Sequence, residues 1–519
     1  MQRQAAGKAV KTVSVMFLIA FLAKILGQVR EMMIAASYGT ASSAAQAFAP
    51  ASQIPSMLFE ISLGTAVSTA FIPVFNEYMQ KKGRPAAFAF SNKFISVISV
   101  LSCVVTGIGM LLAGFLIQLT APGLEEETKE LAAFLLRIMF PMIVFTSISF
   151  SFVGILQSLG EFKIPSAISL ISNLSVILYL AVFNQYFGVV GLAVCVLIGW
   201  ALQLIVLLPS LIKRDWRPKL DVDFKNEGIR KCALLALPVL ISSWVVPLNN
   251  MVNMNLASGL YDGAGIVAVN YANKLYLIVA GVFSMALSNY IFPGISKLAV
   301  EKKYDELSDT AASSVRITLL IMVPLAVLFV VLANPIVKLI YERGEFDSFS
   351  TQITAGALMF YSVGIPFYGI NEVLNKTFYG MQKPRIPLYA SIASIAVNVG
   401  LSVILVRIWD IKGLSIAASC AVIVMSLILV FFLNRTLPGF MKTSWSEVGK
   451  IAVSGAGMVA AAVLSYRTIC EWILPSGILN LFLICAAVSV MGGICYLLIL
   501  LLLRSRDLKG FLKLFRKGE

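Results

Sequence analysis

The chain has 519 residues, of which 59% are hydrophobic and only 13% are charged. An average soluble domain is roughly a quarter charged, so this composition excludes an ordinary soluble globular fold and favours a membrane protein. The chain contains no histidine, which excludes Ser-His-Asp and Cys-His catalysis, HExxH zinc sites and imidazole proton relays. The formal net charge of +15 is spread over the loops, so we expect no nucleic-acid partner.

Apolar runs of about twenty residues, each long enough to cross a hydrocarbon core of ~30 Å as a helix, recur along the whole chain. Read between charged or Gly/Pro-rich breaks, they predict an all-α polytopic membrane protein with about fourteen transmembrane helices. The first run continues to about Gly39 without a small-residue cleavage site, so we interpret it as a retained span. The predicted spans lie near residues 12–36, 46–75, 92–118, 132–157, 165–184, 190–212, 232–256, 265–296, 316–337, 352–375, 387–406, 413–434, 449–466 and 479–503.

The basic residues are concentrated in every second loop. With the N-terminus inside, most of the 41 lysines and arginines fall in cytoplasmic segments, whereas the acidic stretch Glu125-Glu126-Glu127 falls outside. An odd number of spans in either half of the chain would scramble this alternation. We therefore predict an even number of spans and two cytoplasmic termini.

The chain also repeats itself after about 220 residues. Phe71-Ile72-Pro73 recurs as Ile291-Phe292-Pro293, Lys163-Ile164-Pro165 as Arg385-Ile386-Pro387, and Gly191-Leu192 as Gly413-Leu414. We predict two like-oriented six-helix lobes related by a pseudo-twofold axis along the membrane normal, an architecture typical of alternating-access carriers. The predicted divisions are 1–215 (N-terminal lobe, spans one to six), 216–440 (C-terminal lobe, spans seven to twelve) and 441–519 (two further spans and a basic cytoplasmic tail).

Charged residues inside the predicted spans are the strongest functional signal, because each costs roughly 2.5–3.5 kcal/mol at the bilayer centre. A basic cluster there favours an anionic group on the substrate, and arginine grips phosphate through its planar fork. The alternative is snorkelling from a span end, above all for Arg137 and Glu31. We expect the acids to hold the cations while the site is empty. The charged residues are Lys24, Arg30, Glu31, Glu60, Arg137, Lys274 and Glu372.

Several motifs resemble those of the MurJ (MviN) family of lipid II flippases, in the multidrug/oligosaccharidyl-lipid/polysaccharide (MOP) exporter superfamily. LGQVRE at 26–31 is similar to the family's first-span signature, and AFIPVFNEY (70–78), YERGEF (341–346) and FYGMQKPRIP (378–387) resemble corresponding family segments. The resemblance implies transport of an undecaprenyl-diphosphate-linked peptidoglycan precursor from the inner to the outer leaflet of the bacterial plasma membrane. It also implies a protein that works as a monomer among membrane lipids.

The resemblance also implies roles for individual residues. It assigns Lys24, Arg30 and Lys274 to the diphosphate and adjoining sugar. From their positions inside the predicted spans, we expect Glu31, Glu60 and Glu372 in the same substrate-binding region. Glu60 and Glu372 depart from the family, which commonly has basic residues at these places. Some members bind a sodium ion where this chain has Asn253, Asn398 and Ser402. Sodium or the membrane potential would drive transport, and we expect no other cofactor.

Two other functions remain open. One is a flippase for another polyprenyl-linked glycan, and the other is a cation-coupled exporter of small molecules from the same superfamily, which the intramembrane acids favour. An enzyme would need catalytic groups in a sizeable pocket. Because the longest loop, at about 213–231, is short and basic, we expect a transporter and not an enzyme.

Overall fold

The computed structural model describes residues 2–57, 67–243, 245–437, 439–440, 445–474 and 477–508. Within these ranges every regular element is helical, which confirms the predicted all-α class. A π-helical turn, Val67–Phe71, precedes the third α-helix. In chain order the helices are α1 (Gln2–Tyr38), α2 (Ser43–Pro55), α3 (Ile72–Leu111), α4 (Ala113–Thr120), α5 (Glu126–Met139), α6 (Met142–Ser158), α7 (Lys163–Val182), α8 (Asn184–Ile212), α9 (Glu227–Ser243), α10 (Val245–Ser258), α11 (Ala264–Val300), α12 (Tyr304–Val331), α13 (Ala333–Tyr341), α14 (Ser348–Ser362), α15 (Ile365–Gly380), α16 (Arg385–Thr436), α17 (Trp445–Trp472) and α18 (Ile478–Leu502).

The described helices account for part of the predicted membrane crossings. In the described part of the chain nine helices are long and apolar enough to cross a membrane, or ten if α14 and α15, bent by 46°, form one span. The predicted count of about fourteen is therefore not confirmed. One reason is that α16 contains two predicted spans, since a straight helix of its 52 residues would be roughly 78 Å long. Another is that residues 58–66, inside predicted span two, lie outside the described ranges.

The chain divides into two compact units. Unit one comprises Met1–Ile266 and Arg343–Phe346, and unit two comprises Val267–Glu342 and Asp347–Glu519. The lobe boundaries drawn from the sequence repeat, after residues 215 and 440, stay a prediction, because compactness and internal repetition are different properties of the chain.

An aromatic cluster forms the core of unit one near the start of α3. Phe71 and Phe90 are fully buried, and the rings of Phe71 and Phe94 stack with their centroids 4.4 Å apart. Trp216, in the linker between α8 and α9, packs edge-on against Phe152 with ring centroids 5.3 Å apart. The core therefore joins α3, α6 and the linker into one packed region.

Helices α9 and α10, which contain predicted span seven, are also part of unit one. Near the start of α9 the thiol of Cys232 donates to the carbonyl oxygen of Ala70 at 3.6 Å. Near the end of α10 the side-chain amide of Asn255 donates to the carbonyl oxygen of Leu119 at 2.7 Å. Contacts at both ends thus hold this pair of helices against the rest of unit one.

A short segment of unit one, residues 343–346, docks on the C-terminal end of α1. The N–H of Glu345 donates to the carbonyl oxygen of Ala36 at 2.9 Å. Gly39 and Gly344 have φ angles of 62° and 60°. A Cβ atom on Gly39 would lie 2.3 Å from the Glu345 oxygen, and one on Gly344 would lie 2.2 Å from the Ala36 oxygen. Both positions therefore require glycine, for backbone conformation and for close approach.

Unit two has its own core, built from α11, α12, α15, α16, α17 and α18. The hydroxyl of Tyr496 on α18 donates to the carbonyl oxygen of Leu320 on α12 at 3.1 Å. The guanidinium Nε of Arg316 lies 2.9 Å from Oδ2 of Asp507, just after α18. The last two predicted spans are therefore integrated into this unit and are not a loose appendage. Fully buried members of the core include Ile295, Leu307, Leu374, Phe378, Leu429, Leu433, Met458 and Leu500.

Candidate functional site

The polar face of α1 contains an ion pair between neighbouring residues. Nη2 of Arg30 donates to Oε1 of Glu31 at 2.6 Å. Glu31 is buried, whereas Arg30 is half-buried. Because both residues lie in a helix that the sequence predicts to cross the membrane, the pair offsets much of the cost of burying either charge alone.

A third residue, Asn173 on α7, completes this cluster. Its Oδ1 accepts a hydrogen bond from Nη1 of Arg30 at 3.0 Å, and its Nδ2 donates to the carbonyl oxygen of Ala23 at 3.1 Å. The amide is therefore fixed to the backbone of α1 at one end and to the guanidinium at the other. We call Arg30, Glu31 and Asn173 the arginine cluster.

The arginine cluster leaves part of the guanidinium unused. Nε of Arg30 is buried and has no hydrogen-bond partner among the described residues. A guanidinium presents five N–H donors in a rigid fork, and such forks bind carboxylate and phosphate through two parallel hydrogen bonds. With Nη1 and Nη2 oriented by Asn173 and Glu31, Arg30 is held in place with donor capacity to spare. The arrangement is suited to binding an anion.

Asn173 was not singled out by the sequence. The available signal was an asparagine inside the apolar stretch LISNLSVILYL, the same kind of signal that drew attention to Asn398. Lys24, by contrast, was predicted to bind substrate with Arg30. The structure places Lys24 on the exposed side of α1, and within the described residues it contributes no side-chain contact to the arginine cluster.

In unit two the predicted substrate-binding residues lie on α11 and α15. Nζ of Lys274 is 5.7 Å from the ring centroid of Tyr271, and that ring packs against Tyr341 with centroids 4.8 Å apart. Lys274 is half-buried. The aromatic faces provide a favourable surface for its ammonium group.

Glu372 is half-buried on α15, and its electrostatic partner is Lys376, one turn further along the same helix. Nζ of Lys376 lies 5.4 Å from the ring centroid of Phe292. From the sequence we predicted that the acids pair with cations of the substrate site, but Lys376 was not among the predicted cations. The other predicted acid, Glu60, lies outside the described residues.

Two of the three residues assigned to a sodium site lie together. The hydroxyl of Ser402 donates to Oδ1 of Asn398 at 3.0 Å, and both side chains are buried on α16. Asn253 is half-buried on α10 in unit one. The pair supplies neutral oxygen atoms, which suit a hard cation such as sodium, but it contributes no carboxylate.

Sequence comparisons relate the chain to lipid II flippases over most of its length. The family model for lipid II flippase MurJ matches residues 34–484. The probable lipid II flippase MurJ of Vibrio cholerae is 29% identical over 510 residues, covering 94% of this chain and 95% of that protein. The lipid II flippase MurJ of Burkholderia cenocepacia is 28% identical over 459 residues, covering 86% and 88%.

Solved structures show a similar relationship. A lipid II flippase MurJ in an inward closed conformation matches with a TM-score of 0.78 and 25% identity, over 93% of this chain and 97% of that chain. A MATE family multidrug transporter of the MOP superfamily, in an inward-facing conformation, matches with a TM-score of 0.70 and 15% identity, over 83% and 99%. The second match shows a shared fold. The chain therefore belongs to the lipid II flippase MurJ family.

Proposed function

We propose that this protein moves lipid II, an undecaprenyl-diphosphate-linked peptidoglycan precursor, from the inner to the outer leaflet of the bacterial plasma membrane. It acts by alternating access, as a transporter and not as an enzyme. Membership of the lipid II flippase family supports the substrate, and similarity to an inward closed flippase supports the mechanism. The basic loops support two cytoplasmic termini.

The arginine cluster is the observation that carries this proposal. A diphosphate entering a dehydrated cavity needs donors that are already oriented, since reorganising them during binding would consume affinity. Asn173 and Glu31 fix two nitrogens of Arg30, and the half-buried guanidinium keeps N–H groups that neither residue uses, which can donate to phosphate oxygens. On this proposal Arg30 grips the diphosphate while Asn173 and Glu31 position the guanidinium.

The remaining predicted residues have supporting roles in the proposal. Lys24 and Lys274 add positive charge for the diphosphate and the adjoining sugar. Glu60 and Glu372 belong to the same substrate-binding region and keep cations paired between transport cycles. For Glu372 the local charge of Lys376 on α15 supports this role. An incoming diphosphate then displaces the acids from the cations.

The driving force is a sodium gradient or the membrane potential. Asn253, Asn398 and Ser402 are the proposed sodium ligands, and the contact between Ser402 and Asn398 supports two of the three. The protein works as a monomer, with membrane lipids as its other partners. Replacing sodium by choline, with the membrane potential held constant by ionophores, separates the two sources of energy.

The test is a flipping assay in proteoliposomes that contain purified protein and fluorescent lipid II. Arrival of lipid II in the far leaflet is read by reaction with a membrane-impermeant reagent. Liposomes without protein measure spontaneous flipping, and a second undecaprenyl-diphosphate-linked glycan measures specificity. We expect protein-dependent transport of lipid II. Transport of the second glycan alone would establish the alternative substrate, and transport of neither would refute the proposal.

A further inference from the structure

The linker between α8 and α9, residues 213–226, is held against the side of α3 by hydrogen bonds and an ion pair. The side-chain amide of Asn92 donates to the carbonyl oxygen of Arg217 at 2.9 Å. The backbone N–H of Asp221 donates to Oγ of Ser96 at 3.0 Å. Nζ of Lys93 lies 2.7 Å from Oδ2 of Asp223, a contact that holds the pKa of this carboxyl below its usual range. The inner edge of the linker therefore has a defined position.

That position is the end of a lipid-facing stripe. Val100, Val104 and Ile108 follow Ser96 at successive turns of α3, and all three are exposed. In a membrane such exposed apolar side chains contact lipid. Ser96 belongs to the same stripe but is buried, because the linker lies on it. Lys93 is the last charged residue before Glu125, so this contact lies close to the edge of the hydrocarbon core.

The outer edge of the linker is apolar. Leu220, Val222 and Phe224 are 90%, 51% and 54% exposed. They alternate along the chain with Asp221 and Asp223, which contact α3 and are less exposed. Single exposed apolar residues are ordinary. Three within five residues, in a linker that contacts the end of a lipid-facing stripe, form an apolar edge.

Basic residues flank this apolar edge. Arg217, Lys219 and Lys225 are all exposed. The pattern of apolar side chains between lysines and arginines is typical of segments that lie in the interface of anionic membranes. Charge complementarity therefore selects an anionic lipid surface as the occupant of this edge.

We propose that residues 217–225 form an interfacial anchor, which inserts Leu220, Val222 and Phe224 into the adjoining leaflet and binds anionic phospholipid headgroups through Arg217, Lys219 and Lys225. The anchor fixes the connection between the sixth and seventh predicted spans to the membrane surface. Insertion itself does not depend on the proposed transport function. Only the identification of the leaflet as cytoplasmic rests on the proposed topology.

The test uses a bimane fluorophore on single cysteines at Leu220, Val222 and Phe224, in a variant without the seven native cysteines that still elutes as a folded monomer. Proteoliposomes contain phosphatidylglycerol and a nitroxide lipid labelled near the headgroup. Val104, in the lipid-facing stripe, and Lys82, exposed on the charged part of α3 before Lys93, serve as membrane and water controls. We expect blue-shifted emission and strong quenching by the nitroxide lipid at the three test positions. Emission and iodide quenching like those at Lys82 would overturn the proposal.

A second arm tests the headgroup contact. Arg217→Gln, Lys219→Gln and Lys225→Gln are each combined with the Leu220 probe, in vesicles of phosphatidylglycerol and of phosphatidylcholine. Each substitution should weaken insertion about fivefold in the anionic vesicles and leave it unchanged in the zwitterionic ones. Equal insertion in both lipids for the unsubstituted linker would overturn the assignment of anionic headgroups. A water-soluble thiol reagent added from either side identifies the leaflet independently.

Discussion

Two helical hairpins, one in each unit, use the same backbone for different chemistry. In unit one the hairpin consists of α7 and α8. Helix α7 begins with Lys163-Ile164-Pro165, and the chain turns at Gly188 within α8, which has φ 54° and ψ −148°. In unit two, α16 begins with Arg385-Ile386-Pro387 and turns at Asp410, with φ 49° and ψ −132°. The two turns follow their motifs at the same spacing. The repeat read from the sequence thus recurs as a repeated backbone conformation.

The hairpins differ in what their asparagines contact. Asn173 of the first hairpin reaches another helix and holds Arg30 of α1. Asn398 of the second hairpin accepts a hydrogen bond from Ser402 on the same helix. The first asparagine therefore links two helices through Arg30, whereas the second contacts a hydroxyl group of its own helix. The two hairpins therefore share a backbone conformation but differ in the few polar side chains that make contacts.

Substitution of Arg30, which Asn173 of the first hairpin contacts, is expected to have the largest effect on transport. Arg30→Ala should lower lipid II flipping at least about thirtyfold, since loss of a desolvated charged contact costs on the order of 2–5 kcal/mol. Arg30→Lys should not restore it, because a lysine lacks the planar fork. The control is Arg137→Ala, which removes an exposed arginine that donates to the carbonyl oxygen of Met110. Equal flipping by Arg30→Ala and Arg137→Ala would remove Arg30 from the substrate site.

The two asparagines give a smaller and more discriminating effect. Asn173→Ala should lower the apparent affinity for lipid II about five- to thirtyfold, because Arg30 loses a hydrogen bond worth about 1–2 kcal/mol. Asn398→Ala should leave lipid II affinity unchanged and alter only the sodium dependence of transport. Flipping rates over a series of lipid II and sodium concentrations measure both quantities. A similar loss of lipid II affinity in both variants would contradict the division of roles.

Matched glycines in the two hairpins should differ in their effect on stability. A Cβ at Gly413 would lie 2.2 Å from the backbone oxygen of Leu405, whereas a Cβ at Gly191 would lie 2.2 Å from the hydroxyl of Tyr179 and 2.6 Å from the Cβ of Phe187. Backbone atoms yield less readily than side-chain atoms. Gly413→Ala should therefore cost about 2–3 kcal/mol and Gly191→Ala about 1 kcal/mol. Thermal unfolding in detergent measures the order, and a larger loss at Gly191 would show that Tyr179 cannot move.

Substitutions of the turn residues themselves should change stability with opposite signs. The backbone conformation at Gly188 and Asp410 is one that residues other than glycine adopt only with strain of order 1–3 kcal/mol. Asp410 is exposed, so Asp410→Gly loses little packing and should raise the unfolding temperature. Gly188→Asp should lower it, although the space around its Cβ is open. Opposite shifts would establish that the turns are equivalent, and a lower unfolding temperature for Asp410→Gly would show that the aspartate makes a compensating interaction.

The features that the sequence alone determined are local or periodic. Hydropathy identified a helical membrane protein, the absence of histidine excluded histidine-dependent catalysis, and the motifs around Arg30 identified the family that the comparisons confirm. Arg30 and Glu31 are neighbours in the chain, so their pairing was also within reach of sequence reasoning. The repeat was visible because duplicated motifs keep their spacing even when side chains between them diverge.

Contacts between distant helices were decided only by the tertiary structure. Arg30 and Asn173 are 143 residues apart, and Ser96 and Asp221 are 125 apart. Hydropathy does not reveal such partners, because lipid and the protein interior are equally apolar. The hydropathy of a span is therefore the same whether its neighbours are lipids or other helices. Only packing shows that Asn173 faces α1 and that a linker covers the end of a lipid-facing stripe.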